Sequence, residues 1–360
     1  MGATEDAAAR RVLAFQKPEG IAWRGTNAVD GGFRVGVTRD VRREDGSRWY
    51  DLDLLDEAGI AWEFLPEHSR ELPPETVAPY DAVIVFSPRV TSATVEGQER
   101  LALVARLGVG YDSVDVDACT QNGVLLTIAP DGIRRPMACS ALAFVLALAH
   151  RLLQKDRHLR EGGWERFANV GVGLRGRTLG IVGLGNVGRE IARLAQPFEL
   201  RIAAADPYVT AAEGVELIEL EELLRQADFV CITCPLTDAT RRLIDGERLA
   251  LMKSSAFLIN IARGPIVDQA ALTTALQERR IAGAALDVFE TEPVAPDDPL
   301  LALDNVILTP HAVCLTDESF ALTGRNACEN VIALAEGLVP RDVVNREALE
   351  HPRLRERLAR

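Results

Sequence analysis

Apolar residues in this chain come in short blocks separated by helix-length amphipathic stretches. The blocks FRVGVT (33–38), IAWEFL (60–65), DAVIVF (81–86), LALVAR (101–106) and GVLLTI (123–128) each end in turn or polar residues. Each reads as a strand, and the intervening helical segments make the pattern that of a parallel sheet in an α/β protein. A second series follows: RTLGIVG (177–183), LRIAAAD (200–206), DFVCIT (228–233), AFLIN (256–260), GAALDV (283–288) and NVILT (305–309). Helices are predicted over 189–196, which ends at Pro197, and over 268–278, which opens on Asp268 as an acidic cap. Six strands with helical crossovers fit a doubly wound dinucleotide-binding domain. A last helix is predicted over 317–337, from an acidic cap at Asp317 to Gly337. It follows the sixth strand and is placed to return to the first domain.

Between the two series stands PDGIRRPMACS, and directly after it the most apolar run of the chain, ALAFVLALAH. From Met137 to Ala149 the run has 13 residues, interrupted by Ser140. A membrane span needs about 20. The run is therefore read as a buried helix with Pro136 as its first residue. Arg134 and Arg135 fall at its N-terminus, where the helix dipole opposes a cation. Two readings stay open for them: one enters a pocket and holds an anion, or both lie on the surface paired with acids. Arg89 in FSPRVTS, at another strand end, is a further candidate for the pocket.

Composition narrows the function. The chain has 360 residues, enough for about two domains, and is 48% apolar and 26% charged, as a globular protein with a core should be. Forty basic against 53 acidic residues give a net charge of −13, which argues against nucleic-acid binding. Glu5 and Asp6 stand where a signal peptide would be positive, so residues 1–31 read as a polar arm. Cys231 and Cys234 have C-x-x-C spacing, but within a strand an odd offset sends the side chains to opposite faces. No disulfide framework and no metal site are predicted, and reduced thiols suit the cytoplasm.

The stretch GIVGLGNVGRE holds Gly183, Gly185 and Gly188 in G-x-G-x-x-G order at the end of a strand and the start of a helix, the context this motif requires. Gly183 permits a tight turn, Gly185 a close backbone approach to a pyrophosphate, and Gly188 close helix–strand packing. The helix N-terminus offers free N–H groups to the phosphates. Asp206 ends the next strand, 23 residues after Gly183, and can accept from the ribose hydroxyls. It would repel a 2′-phosphate, so NAD is predicted rather than NADP.

With these motifs in hand, the chain resembles the D-isomer-specific 2-hydroxyacid dehydrogenases. The resemblance runs from about residue 33 to 345 and rests on GVGYDSVDVDA (108–118), LRGRTLGIVGLGNVGREIA (174–192), CPLTDATRRLI (234–244), LINIARGPIVDQAAL (258–272), ALDVFETEPV (285–294) and LTPHAV (308–313). It implies two Rossmann-like domains with parallel sheets and an active site in the cleft between them. The substrate-binding domain is then 32–128 with 314–345, the NAD-binding domain 129–313, and 346–360 a C-terminal tail. The resemblance implies Arg263 as the residue holding the substrate carboxylate and keto oxygen, and Glu292 and His311 as the acid–base pair. It implies backbone contacts to the substrate at Gly108, Val109 and Gly110. For NAD it implies Gly183, Gly185, Asn186, Val187, Gly188, Asp206, Cys234, Pro235, Ile261, Ala262, Asp287 and His311. It also implies a homodimer, built partly on the helix of the apolar run. Where the family has a small or polar segment and then Ala-Glu, this chain has Asp131 to Cys139 instead, so no subgroup's substrate carries over.

The chemistry makes sense independently. Reducing a 2-oxo acid puts negative charge on the carbonyl oxygen, and a protonated histidine can neutralise it. A neighbouring carboxylate favours the protonated imidazole. Arginine matches a carboxylate with two parallel hydrogen bonds. A formate dehydrogenase is disfavoured, since that activity goes with glutamine where this chain has Glu292. A non-catalytic NAD-binding regulator, corepressor-like, is the alternative; it has no need of an acid–base pair.

Overall fold

The computed structural model describes residues 32–66 and 70–359; the predicted arm, 1–31, lies outside the described residues. The first sheet holds β1 (Arg34–Val37), β2 (Ala61–Phe64), β3 (Ala82–Val85), β4 (Leu103–Arg106) and β5 (Leu125–Thr127), in the order β2-β1-β3-β4-β5. The second holds β6 (Thr178–Val182), β7 (Arg201–Ala205), β8 (Glu216–Leu217), β9 (Phe229–Ile232), β10 (Phe257–Asn260), β11 (Gly283–Leu286) and β12 (Val306–Leu308). Its order is β12-β11-β10-β9-β6-β7-β8. Every pairing in both is parallel. Each apolar block of the sequence contains one of these strands. β8 was not anticipated, because two residues are too few to show a period.

Parallel strands buried on both faces need apolar side chains at successive positions. In β9, Phe229 and Cys231 join Leu179, Ile181 and Ile259 on one face, while Val230 and Ile232 join Val182, Leu258 and Leu286 on the other. Cys231 and Cys234 are free and buried, and burial pushes their thiols up to about 12 and about 11. Neither is a thiolate at neutral pH.

The apolar run forms a helix, Arg134–Ala149, that buries Ala138, Ala141, Leu142, Phe144, Val145 and Leu148. It begins at Arg134, so Pro136 is its third residue rather than its first. A first-turn N–H has no intrahelical acceptor, so proline costs nothing there. No single helix among the described residues is long and apolar enough to cross a membrane.

The last long helix, Asp317–Ala335, is capped by Thr316 and not by Asp317: the Thr316 hydroxyl accepts from the Ser319 N–H at 3.1 Å. Its Ala327, Cys328, Val331 and Ile332 enter one core with Val35, Leu55, Ile84 and Leu103 of the first lobe. The chain therefore crosses between lobes twice. The outgoing crossover presses on this helix at Gly132, where a Cβ would lie 2.5 Å from the Thr323 backbone nitrogen and 2.7 Å from the Ser319 carbonyl. The segment after residue 345, read from sequence as a tail, closes the same core. Ala348 and Leu354 are fully buried, and Arg357 reaches the buried Asp81. Four arginines in PRLRERLAR hid the single buried leucine from a periodicity argument.

Candidate active site

Ligands of open parallel sheets bind beyond the carboxyl ends of the strands, where the strand order reverses. In the second sheet that point lies between β6 and β9. The turn after β6 begins at Gly183, with φ +97°, and a Cβ there would lie 2.6 Å from the Cys234 backbone. Only glycine lets the turn lie against the end of β9. At Gly188 a Cβ would lie 2.3 Å from the Gly183 carbonyl, whereas at Gly185 it would meet nothing within 4 Å. Two glycines are thus filled in by protein and the middle one faces open space. Gly185 caps the helix Asn186–Ala195, so Asn186, Val187 and Gly188 present first-turn N–H groups.

Asp206, just past β7, braces this loop. Its carboxylate accepts from the Leu184 N–H at 2.7 Å and the Tyr208 N–H at 2.9 Å. Each oxygen retains a lone pair for a further donor. A tight turn, an open glycine, a helix N-terminus and a strand-end carboxylate fit a dinucleotide. Pro235 follows Cys234 at the end of β9, and Ile261 and Ala262 follow β10.

The turn after β10 is held by Asn260, which is 1% exposed. Its Oδ1 accepts from the Ala262 N–H and its Nδ2 donates to the Arg263 carbonyl, at 3.1 and 3.0 Å. That sends the Arg263 side chain across to the first lobe. Its Nε donates to Asp112 at 2.9 Å and its Nη1 to the Ala262 carbonyl at 2.7 Å. The guanidinium lies on the loop 108–110: a Cβ on Gly110 would be 1.6 Å from Arg263 Nη2. Gly108 has φ +141° and Val109 is partly exposed beside it.

Arg106, the last residue of β4, stands next to this group. Its Nη1 donates to the Phe86 and Val85 carbonyls, while its buried Nε has no partner among the described residues. Burial lowers its pKa, the Asp112 charge opposes that, and the Arg263 charge adds to it. Neither Arg106 nor Asp112 was singled out from the sequence. A lone cation ending the apolar run LALVAR was the available signal for Arg106; Asp112 gave none beyond lying in GVGYDSVDVDA.

From the other side comes His311. Its Nδ1 lies 2.7 Å from Glu292 Oε2, and Glu292 Oε1 accepts from the Phe289 N–H at 3.0 Å. Burial would raise the Glu292 carboxyl. The hydrogen bonds from His311 and Phe289, with the charges of His311 and Arg263, outweigh it and hold the group below the usual glutamate range. His311 has φ +51°, a left-handed conformation uncommon for a side-chain-bearing residue. Asp287 enforces it. The Asp287 carbonyl accepts from the His311 N–H at 2.8 Å. Its Oδ1 accepts from the Thr309 hydroxyl, the Ala312 N–H and the Val313 N–H, at 2.7, 2.9 and 3.1 Å. Asp287 is 1% exposed, and burial raises its pKa against those hydrogen bonds. Nδ1 engaged and Nε2 free is the arrangement of a histidine that exchanges a proton through Nε2.

The remaining arginines divide. Arg89 and Arg134 are exposed and pair with no acid among the described residues. Arg135, a candidate for the pocket, is engaged elsewhere: its Nη1 lies 3.0 Å from Glu190 Oε1 on the helix Asn186–Ala195. The anion its helix-terminal position asks for is supplied by a neighbouring helix. Hydrogen bonds from Arg193 and Arg135 hold Glu190 down to about 2, against its burial. A cavity of about 500 Å³ lined by Leu148, Arg151, Phe257, Arg279 and Asn305 contains none of the candidate site residues.

Residues 142–313 match the family model described as "D-isomer specific 2-hydroxyacid dehydrogenase, NAD binding domain". The chain is 38% identical over 329 residues to a glyoxylate reductase of Korarchaeum cryptofilum, covering 88% of this chain and 97% of that one. It is 38% identical over 304 residues to a D-3-phosphoglycerate dehydrogenase of Archaeoglobus fulgidus, covering 83% of this chain and 58% of that longer protein. Among solved structures, the NADPH-dependent glyoxylate/hydroxypyruvate reductase of Sinorhizobium meliloti, in complex with NADP and malonate, aligns with a TM-score of 0.76 at 28% identity, covering 88% of this chain and 98% of that one.

Proposed function

The chain belongs to the D-isomer specific 2-hydroxyacid dehydrogenase family, and on that premise we propose that it interconverts a short 2-oxo acid and its D-2-hydroxy acid with NAD as the coenzyme. The observation that carries the reading is the His311–Glu292 pair at 2.7 Å, with Arg263 held on the Gly108–Gly110 loop. The coenzyme, when bound, supplies or accepts the hydride. The chain's own residues do the rest. Arg263 and the backbone N–H groups of Val109 and Gly110 bind the substrate carboxylate, the Gly108 N–H being given to the Arg106 carbonyl at 3.0 Å, and Arg263 also steers the keto oxygen. As C2 gains its hydrogen, His311 Nε2–H gives its proton to that oxygen, and Glu292 stabilises the imidazolium beforehand. In the oxidative direction His311 takes the hydroxyl proton back.

Gly183, Gly185, Asn186, Val187 and Gly188 would hold the pyrophosphate. Asp206 would hold the adenosine ribose, with Cys234, Pro235, Ile261, Ala262 and Asp287 lining the rest of the groove. Arg106 is a better-placed second cation for the substrate's far end than Arg89 or Arg134, because it adjoins Arg263.

The test is a panel of glyoxylate, hydroxypyruvate, 2-oxoglutarate and a phosphorylated 2-oxo acid with NADH; no turnover of any member would overturn the reading. Asp206 sets a further expectation. A carboxylate facing a 2′-phosphate should favour NADH over NADPH by at least about 1.4 kcal/mol, roughly tenfold in kcat/KM. Equal rates at subsaturating coenzyme would remove Asp206 from that role, and the NADP-bound Sinorhizobium relative makes the comparison pointed.

A homodimer is part of the reading. Past the helix Arg134–Ala149, Leu152, Leu159, Trp164, Phe167 and Val170 are 58, 58, 72, 88 and 61% exposed. A run of large apolar side chains in water marks an interaction surface. Sedimentation of the purified protein should give twice the 39.2 kDa chain mass; a monomer at micromolar concentration would contradict it.

A further inference from the structure

The five N–H groups of a guanidinium can be assigned one by one. On Arg263 the Nε–H is taken by Asp112 and one Nη1–H by the Ala262 carbonyl. The remaining N–H groups of Nη1 and Nη2 stay available, and Nη2 lies over Gly110. The two acceptors that orient the group come from opposite lobes: Ala262 follows β10, and Asp112 stands in the loop after β4, 151 residues from Arg263. We propose that Asp112 is a positioning residue for the reaction: it fixes the guanidinium of Arg263 so that the Nη edge, and not the Nε side, faces the 2-oxo acid.

Three considerations support this. The Asp112 side chain is 59% exposed, and exposed ion pairs contribute little to folding. Its use therefore lies elsewhere. Arg106 and Arg263 repel each other, and the Asp112 charge, attracted to both, offsets that repulsion. The contact also exists only while the lobes stand at this separation, so Arg263 is correctly aimed only in this arrangement. Burial would raise the Asp112 carboxyl, but the charge and hydrogen bond of Arg263 keep it below the usual range, so it is an anion at neutral pH.

The inference rests on the 2-oxo acid reading. Steady-state kinetics with glyoxylate and NADH test it in the native chain, Asp112→Asn and Asp112→Glu, with Asp112→Asn repeated in an Arg263→Lys background. Misaiming a catalytic group by about 1 Å can cost on the order of 100-fold, so Asp112→Asn should lower kcat by at least about tenfold. KM should move by less than about threefold, since the lost aim is offset by loss of a charge that repels the substrate carboxylate. Asp112→Glu, which keeps the charge, should recover part of kcat, and the dissociation constant for NADH should not change. In the Arg263→Lys background, which lacks the Nε–H, Asp112→Asn should cost almost nothing. Native kcat in Asp112→Asn overturns the assignment, as does an equal loss in both backgrounds or a loss shared with NADH binding. Absence of activity in the native chain is a different result: it overturns the functional reading before any variant is made.

Discussion

His311→Ala should reduce 2-oxo acids at least about 100-fold more slowly than the native chain, because in the proposed mechanism it removes the proton donor that the Glu292 contact orients. Glu292→Gln should be milder and should depend on pH. Glu292 is held below the ordinary glutamate range, so it is ionised throughout the working range and stabilises the imidazolium. Glutamine keeps the size and loses the charge. The sign follows from the Glu292 charge, which is present above its lowered pKa and lost as pH falls through it. The native advantage over Glu292→Gln should therefore persist from about pH 8 down to about pH 6 and fade only in acid, below the ordinary glutamate range. A charge-assisted contact of about 1.5–3 kcal/mol sets its size at roughly ten- to a hundred-fold. Equal rates for the native and Glu292→Gln proteins at neutral pH would exclude Glu292 from the mechanism.

Gly110→Ala should lower kcat/KM on the order of 100-fold while the protein folds normally. The new methyl would lie 1.6 Å from Arg263 Nη2 and 2.8 Å from Cζ. The end of a flexible side chain can move aside at small cost to stability, but here the group that moves is the one proposed to bind substrate. It cannot pivot in place, because Asp112 and the Ala262 carbonyl hold its other edges. Gly264→Ala makes an instructive contrast. Its methyl would fall 1.9 Å from the Phe289 backbone, which cannot yield, and that protein should fail to fold. Circular dichroism melting beside kinetics separates the two outcomes. A Gly110→Ala protein with native kcat/KM would mean that Arg263 binds substrate from some other position.

How much of this was legible beforehand depends on the range of the interaction. The strands were readable because burial on both faces of a parallel sheet demands uninterrupted apolar blocks. The dinucleotide loop was readable because its constraint is on the backbone: Gly183 and Gly188 leave no room for a Cβ. His311, Glu292 and Arg263 were reached through motifs, and the structure adds that His311 and Glu292 touch. Contacts between distant side chains were not readable. Asp112 meets Arg263 across 151 residues and Arg135 meets Glu190 across 55, and no local pattern encodes either pairing. Pro136 and Asp317 were misplaced by one or two positions because several first-turn residues tolerate proline or acids equally, and only the hydroxyl of Thr316 lies where it can cap.

The double crossing of the chain between lobes has a consequence for the order of biosynthesis. The second lobe's cores draw on one continuous stretch, from Met137 and Ala138 through Val313. The first lobe's core combines residues near Val35 with Val331, Ile332, Ala348 and Leu354. A ribosome delivers the chain from its N-terminus, so the lobe translated first cannot close its core until almost all that follows has emerged. The coenzyme lobe, translated later, has all its strands sooner. During that interval β1 to β5 wait beside a folded neighbour with one face uncovered, the state in which sheets associate with the wrong partner.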